Sequence, residues 1–196
     1  MQFAPGAKRF AGVAVVLAAA GYFVWPWLSP VAVALGLFTL VFFRDPERSP
    51  PESGYVAPAD GKVSVIREEG DRLRVGVFMN VWNVHVNRAP AGGTVRRIEH
   101  TPGAHRPAFS KDSDRNERVR LEFGDHAAVL IAGAFARRIF PYVEAGDDVE
   151  RGDRIGHIAF GSRADVVLPE GIGRDDLDVE EGDRVLAGET VIAAEP

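Results

Sequence analysis

Val143-Glu-Ala-Gly-Asp-Asp-Val-Glu-Arg-Gly-Asp-Arg-Ile155 and Val179-Glu-Glu-Gly-Asp-Arg-Val-Leu-Ala-Gly-Glu-Thr-Val191 are two copies of one pattern, V-E-x-G-D-x-V-x-x-G-[DE]-x-[IV], at an offset of 36 residues (179 minus 143). Each copy supplies two glycine turns flanking a short strand pair, and a repeated pattern signals a repeated structural unit. Two such units predict pseudo-symmetric halves of a flattened β-barrel, a barrel-sandwich, in a mainly β domain.

Outward from the repeat, the chain between residues 55 and 160 reads as short Val- and Ile-rich runs separated by Gly, Pro and Asp. Gly61 to Arg67, Arg72 to Asn80, Gly93 to His100, Arg118 to Phe123, Ala127 to Ala132 and Val149 to Ala159 are the expected strands. Long amphipathic helices are scarce there. The repeat is similar to that of lipoyl and biotinyl carrier domains, which need an exposed acceptor lysine at a hairpin tip. The lysines of this chain are Lys8, Lys62 and Lys111, and neither copy has one at its turn.

The N-terminus is of another kind. Phe10 to Phe43 is 34 residues without a charge, bounded by Lys8 and Arg9 on one side and Arg44 on the other. Such a run reads as a membrane segment. Pro26 and Pro30 divide it into about 16 and 13 apolar residues, each below the ~20 that a straight spanning helix needs. The expectation is a hydrophobic helical hairpin whose two ends face the cytoplasm, with Tyr22, Trp25 and Trp27 near the other interface. The expected division is therefore a membrane-associated hairpin at 1–43, a Pro/Ser-rich linker at 44–54 and a catalytic β domain at 55–196. The cell membrane is the expected location, with the β domain on its cytoplasmic face.

Composition narrows the chemistry. The chain has no cysteine, which excludes disulfides, thiolate nucleophiles and thiolate-bound metals. Net charge is −5; the first 50 residues contribute +2, so the remainder is −7. A β domain this acidic is a poor partner for nucleic acid. No His or carboxylate spacing makes a metal site.

Three polar residues could act together. Ser162 follows Gly161 between the repeat copies, Asp60 lies in Ala57-Pro-Ala-Asp-Gly61, and His85 lies in Trp82-Asn-Val-His-Val-Asn-Arg88. A hydroxyl nucleophile, a general base and an orienting carboxylate form a known catalytic set. Taken singly, Gly-Ser is an ordinary turn signal and His85 on an apolar strand is a core histidine as readily as a base. His100 and His105 lie five apart across the loop Thr-Pro-Gly, His126 follows Gly124-Asp125 in a turn, and His157 lies on the strand leading to Gly161. Two readings fit these residues: a serine hydrolase that keeps its hydroxyl, and a membrane-anchored lipoyl-like adaptor without catalysis.

Together these stretches closely resemble the short-form phosphatidylserine decarboxylases, including the archaetidylserine decarboxylases. The resemblance runs through Phe42-Phe-Arg-Asp-Pro46, Ala57-Pro-Ala-Asp-Gly61, Trp82 to Arg88, Asn116-Glu-Arg118, Gly133-Ala134 and Gly161-Ser-Arg163. It implies a proenzyme cut between Gly161 and Ser162 into a β chain, 1–161, and an α chain, 162–196. Ser162 would become a covalent pyruvoyl group, the Schiff-base site for the substrate amine, with His85 and Asp60 driving the cleavage. The implied reaction converts a serine phospholipid to the ethanolamine lipid and CO2 with no external cofactor, and Arg44, Arg48 and Arg88 are candidates for holding the lipid phosphodiester. A homo-oligomer is compatible with this reading. Long-form relatives carry a second histidine three residues before the relay histidine; Trp82 stands there, so the proton donor to the decarboxylated carbon is unassigned.

Overall fold

The computed structural model describes residues 2–24, 27–103, 115–133, 139–159 and 162–195. They divide into two units, Met1–Glu47 and Arg48–Pro196.

In the first unit the charge-free run forms two helices, α1 (Ala7–Val24) and α2 (Leu28–Phe42), and a short strand pair, β1 (Gln2–Phe3) with β2 (Arg44–Asp45). Pro30 lies in the first turn of α2, where its missing N–H would have had no partner anyway. The helices pack along each other through small residues: a Cβ on Gly36 would sit 3.2 Å from the Ala14 Cβ. Ser29 Oγ ties the pair by donating to the Ala18 carbonyl at 2.9 Å. With so few polar positions, the outer faces stay apolar, and Val15, Leu17, Phe23, Trp27, Leu35 and Leu37 are exposed. Among the described residues no helix is long and apolar enough to cross a membrane.

Among its described residues the second unit holds fourteen strands: β3 (Tyr55–Val56), β4 (Gly61–Glu69), β5 (Arg72–Met79), β6 (Val86–Arg88), β7 (Gly93–Thr94), β8 (Arg97–Thr101), β9 (Arg118–Glu122), β10 (Ala127–Ala132), β11 (Ile139–Pro141), β12 (Asp148–Val149), β13 (Arg154–Ile158), β14 (Ser162–Val167), β15 (Arg184–Val185) and β16 (Val191–Ala193). Seven of them form one sheet in the order β15-β4-β5-β14-β10-β9-β8, beside a three-stranded sheet β11-β13-β6 and the pairs β12-β7 and β16-β3. The expected barrel is not closed among the described residues. The turns at Gly182 and Gly188 confine edge strand β15 to two residues, too few to carry a ladder around. The expected strand 93–100 is split into β7 and β8, and 149–159 into β12 and β13.

Alternation sets the two faces of the large sheet. Leu73, Val75, Val77 and Met79 of β5, Ala164 and Val166 of β14, and Ala128, Leu130 and Ala132 of β10 enter the main core. Each fully buried large aliphatic among them contributes about 1.5–3 kcal/mol. The intervening residues point to the other face, where Arg163 and Asp165 are buried as well. Gly76 lies opposite Asp165 in the ladder, and a Cβ there would come within 2.7 Å of Asp165 Oδ1, so the missing side chain makes room for the carboxylate.

The repeat found in the sequence is realised atom by atom. Gly146 N–H donates to the Val95 carbonyl and Gly182 N–H to that of Val63, both at 2.8 Å. Gly152 N–H reaches the Ala89 carbonyl and Gly188 N–H that of Ala57, both at 2.9 Å. The copies meet at these glycines: a Cβ on Gly188 would lie 3.3 Å from the Gly152 Cα. Their acceptors expose a second repeat, Ala57-Pro-Ala-Asp-Gly-Lys-Val63 against Ala89-Pro-Ala-Gly-Gly-Thr-Val95.

Candidate active site

Ser162 is the first residue of β14, held between β5 and β10 with Met79 and Ala132 as its ladder partners. It is fully buried. Its Oγ faces the core side of the sheet, 3.9 Å from the Met79 sulfur. A thioether is a weak acceptor, so the hydroxyl is barely engaged there. Phe160 and Gly161 lie outside the described residues.

His85 is buried and precedes β6. Its Nδ1 lies 2.9 Å from the Asn83 carbonyl oxygen. A carbonyl only accepts, so Nδ1 carries the proton and Nε2 is the basic nitrogen of the neutral ring. The turn that presents Asn83 is fixed locally: Asn80 N–H donates to Asn83 Oδ1 at 2.9 Å and Trp82 N–H to Asn80 Oδ1 at 2.8 Å. Trp82 projects outward, 67% exposed.

Asp60 is also buried, but its described partners are elsewhere. Arg48 Nη2 bridges both carboxylate oxygens at 2.9 Å, and the Ala187 N–H donates to Oδ1 at 2.8 Å. The tautomer of His85 is thus set by the Asn83 carbonyl, and Asp60 locks the strip before β4 to the second repeat copy. In the other half of the pseudo-symmetric domain Gly92 stands where Asp60 does, with the Arg151 nitrogen 3.8 Å from where its Cβ would be. Asp60 is therefore a charge placed where the duplicate half has no side chain. That departure from internal symmetry is itself a signal carried by the sequence.

Met79 and Asn87 join the three segments, and neither was singled out in the sequence. Asn87 is fully buried, and its Nδ2 lies 3.6 Å from the Met79 sulfur and 3.4 Å from the Pro58 carbonyl. Pro58 is two residues before Asp60, Asn87 two after His85, and Met79 is the ladder partner of Ser162. The Met79 sulfur thus touches Ser162 and Asn87, and Asn87 in turn touches Pro58, while the described bonds of Asp60 run to Arg48 and Ala187.

The arginines considered for the phosphodiester are committed inside the protein. Arg48 also pairs with Glu189 at 3.3 Å. Arg88 is buried, its Nη1 donating to the Gly152 carbonyl at 3.0 Å. Arg44 Nη1 donates to the Val41 carbonyl at 2.7 Å. Two further histidines are built into aromatic stacks. His157 lies on Phe140 at 4.6 Å between ring centroids, with Nδ1 2.8 Å from the Tyr142 hydroxyl, and burial pushes it down to about 4. His126 is stacked on Phe123 and bonded to Asp125; burial lowers its pKa against the pull of that carboxylate. His100, at the end of the expected strand 93–100, lies on β8 with Nε2 2.9 Å from Glu117, and His105 lies outside the described residues. Among the described residues no group of three or more His, Asp or Glu could hold a metal.

The phosphatidylserine decarboxylase family profile matches residues 35–193. The chain belongs to that family. Within it, the chain is 64% identical over 169 residues to a Halobacterium salinarum protein named as an archaetidylserine decarboxylase proenzyme, covering 86% of each chain. A phosphatidylserine decarboxylase proenzyme of Streptomyces avermitilis is 52% identical over 166 residues, 82% of this chain and 76% of the relative. A Methanosarcina acetivorans protein named as an archaetidylserine decarboxylase proenzyme is 46% identical over 177 residues, 86% of this chain and 82% of the relative.

Proposed function

We propose that this protein decarboxylates the serine headgroup of a phospholipid, phosphatidylserine or archaetidylserine, with a pyruvoyl group made from its own Ser162 by cleavage of the Gly161–Ser162 bond. Family membership supports the reaction class. The observation that carries the site is the setting of Ser162, a buried hydroxyl against a sulfur at the head of a central strand. A buried hydroxyl whose described acceptor is a thioether is available to attack the preceding carbonyl.

In the proposed maturation Ser162 Oγ attacks the Gly161 carbonyl carbon, and its proton passes to His85 Nε2. The C–N bond of Gly161–Ser162 breaks as the Oγ ester forms, and the proton returns to the released amine. Removal of the Cα proton at 162 to a base, with loss of the ester oxygen from Cβ, leaves Gly161 as a carboxylate and a dehydroalanine at 162; water then displaces ammonia from the imine tautomer and leaves the ketone. That carbonyl supplies the electron sink for the pair released as CO2 departs. The chain's own residues fit such a group. Residues 162–167 are laddered on both sides, to β5 and β10, so the new end stays in register after the cut. The Met79 side keeps water from it.

The apolar outer faces of α1 and α2 support seating at the cell membrane, and we place the β domain on its cytoplasmic side. The repeat turns lack an acceptor lysine, so they serve as architecture.

Intact mass of the purified protein tests the reading. It expects a large piece and a 35-residue fragment, 162–196, with a carbonyl N-terminus reducible by borohydride, and a single 21.2 kDa chain for Ser162→Ala. Active wild-type protein that kept Ser162 intact and reacted with an acyl-serine probe would establish a serine hydrolase instead.

A further inference from the structure

The face of the seven-stranded sheet opposite Ser162 carries a cavity of about 300 Å3 lined by Arg67, Arg74, Arg118 and Arg120, with Glu69 and Glu99 as the lining carboxylates. The lining charge is +2, in a chain whose net charge is −5. Arg163, Asp165 and Glu122 bond to this group from its margin, and with them five arginines still face four carboxylates.

The carboxylates are already shared. Glu69 bonds Arg74 at 2.6 Å and Arg120 at 2.7 Å. Asp165 accepts from Arg74 at 2.6 Å and from Arg163 at 2.7 Å. Glu99 turns to Arg97 at 3.2 Å on the exposed surface. Arg67 stands directly opposite Arg74 in the β4–β5 ladder, which concentrates positive charge on this face. Arg74 Nη2, on a residue only 6% exposed, is buried with no hydrogen-bond partner among the described residues. A buried cationic donor left unmade is costly, which points to an acceptor that the described residues do not supply.

We propose that this cavity binds a phosphate-class oxyanion, gripped by the guanidinium groups of Arg67, Arg74 and Arg118, with Thr101 as a hydroxyl donor at the wall. Arginine forks match tetrahedral oxyanions bidentately. The site is separate from the reacting lipid. Arg74 pairs with Val167 whereas Met79 pairs with Ser162, five residues along the strand, or about 17 Å at ~3.3 Å per residue, and on the opposite face. A serine lipid carries its phosphate only a few bonds from its amine, so one lipid cannot occupy both sites. The proposal stands whether or not Ser162 is processed.

Inorganic phosphate is the probe, titrated into the purified full-length protein against sodium chloride at matched ionic strength. A ligand that binds only the folded state raises the melting midpoint with the logarithm of its concentration. The expected result is a saturable one-site isotherm and such a rise, with at least tenfold weaker binding in Arg67→Gln/Arg118→Gln. Arg184→Gln, an exposed control on β15, is expected to bind as wild type. Vesicles separate the two sources of phosphate. Weaker flotation of the double variant than of wild type with phosphatidylglycerol, but not with phosphatidylcholine, and reversed by free phosphate, assigns the site to a lipid headgroup. Phosphate binding with equal flotation of both proteins assigns it to a soluble anion. No saturable phosphate effect in wild type, or an effect unchanged in the double variant that still melts cooperatively, overturns the proposal.

Discussion

Replacing Asp165 by Asn tests the largest electrostatic commitment of the fold. The carboxylate is fully buried and accepts three charge-assisted bonds: from Arg163 Nε at 2.7 Å, Arg163 Nη2 at 2.9 Å and Arg74 Nε at 2.6 Å. At an effective dielectric of about 20 each guanidinium attraction is worth about 4 kcal/mol, before the desolvation it offsets. The amide removes the charge and turns an N–H₂ donor toward two arginines that are 1% and 6% exposed. Arg74 keeps Glu69. Breaking one partner of a buried ion pair costs about 3–5 kcal/mol, and that is the expected loss, about a fifth or more of the roughly 5–15 kcal/mol available to a domain. The assay is urea unfolding in a Ser162→Ala background, which the proposed maturation leaves as one chain. With a slope of about 2 kcal/mol per molar, the midpoint falls by about 2 M at unchanged slope. Adding Arg163→Met removes one stranded cation and is expected to restore about half. A loss below about 1 kcal/mol for Asp165→Asn would refute the reasoning, because it would mean that the arginines are compensated from elsewhere.

Three other outcomes follow from the geometry. His85→Ala is expected to slow self-cleavage by about 10²–10⁴-fold, followed by gel electrophoresis of the 35-residue fragment, with partial rescue by added imidazole; cleavage at the wild-type rate would remove His85 from the mechanism. His157 titrates near 4 in the folded protein because burial disfavours its charge, against about 6.5 unfolded. Its contribution is therefore complete above pH 6.5 and is lost as pH falls toward 4, where the unfolded chain binds the extra proton. Chemical denaturation across that window should show a loss of about 3 kcal/mol, and His157→Phe should flatten that part of the curve. Gly61→Ala places a methyl 2.1 Å from the Phe78 carbonyl oxygen, a backbone clash that strand separation alone relieves; circular-dichroism melts should drop by 2 kcal/mol or more, on the order of other core overpacking changes, and an unchanged melt would show that β4 can shift there.

The sequence by itself determined the β class, the duplicated unit and the break of the apolar run into two helices, because each depends on local rules: glycine where a turn needs positive φ, alternation along a strand, proline where a helix must stop. Gly152 and Gly188 sit at matching turns for that reason, with φ of +81° and +74°. Family motifs also directed attention to Ser162, His85 and Asp60. Strand β14 was not legible, since Ser-Arg-Ala-Asp reads as a polar turn until Arg74 and Asp165 neutralise one another on the far face of the sheet. Nor could the sequence show that Asn83 rather than Asp60 accepts from the imidazole, or that Arg48 is spent on Asp60. Those outcomes are pairings between residues far apart in the chain; no local preference encodes them, and only the burial of both partners in one place decides which charges meet.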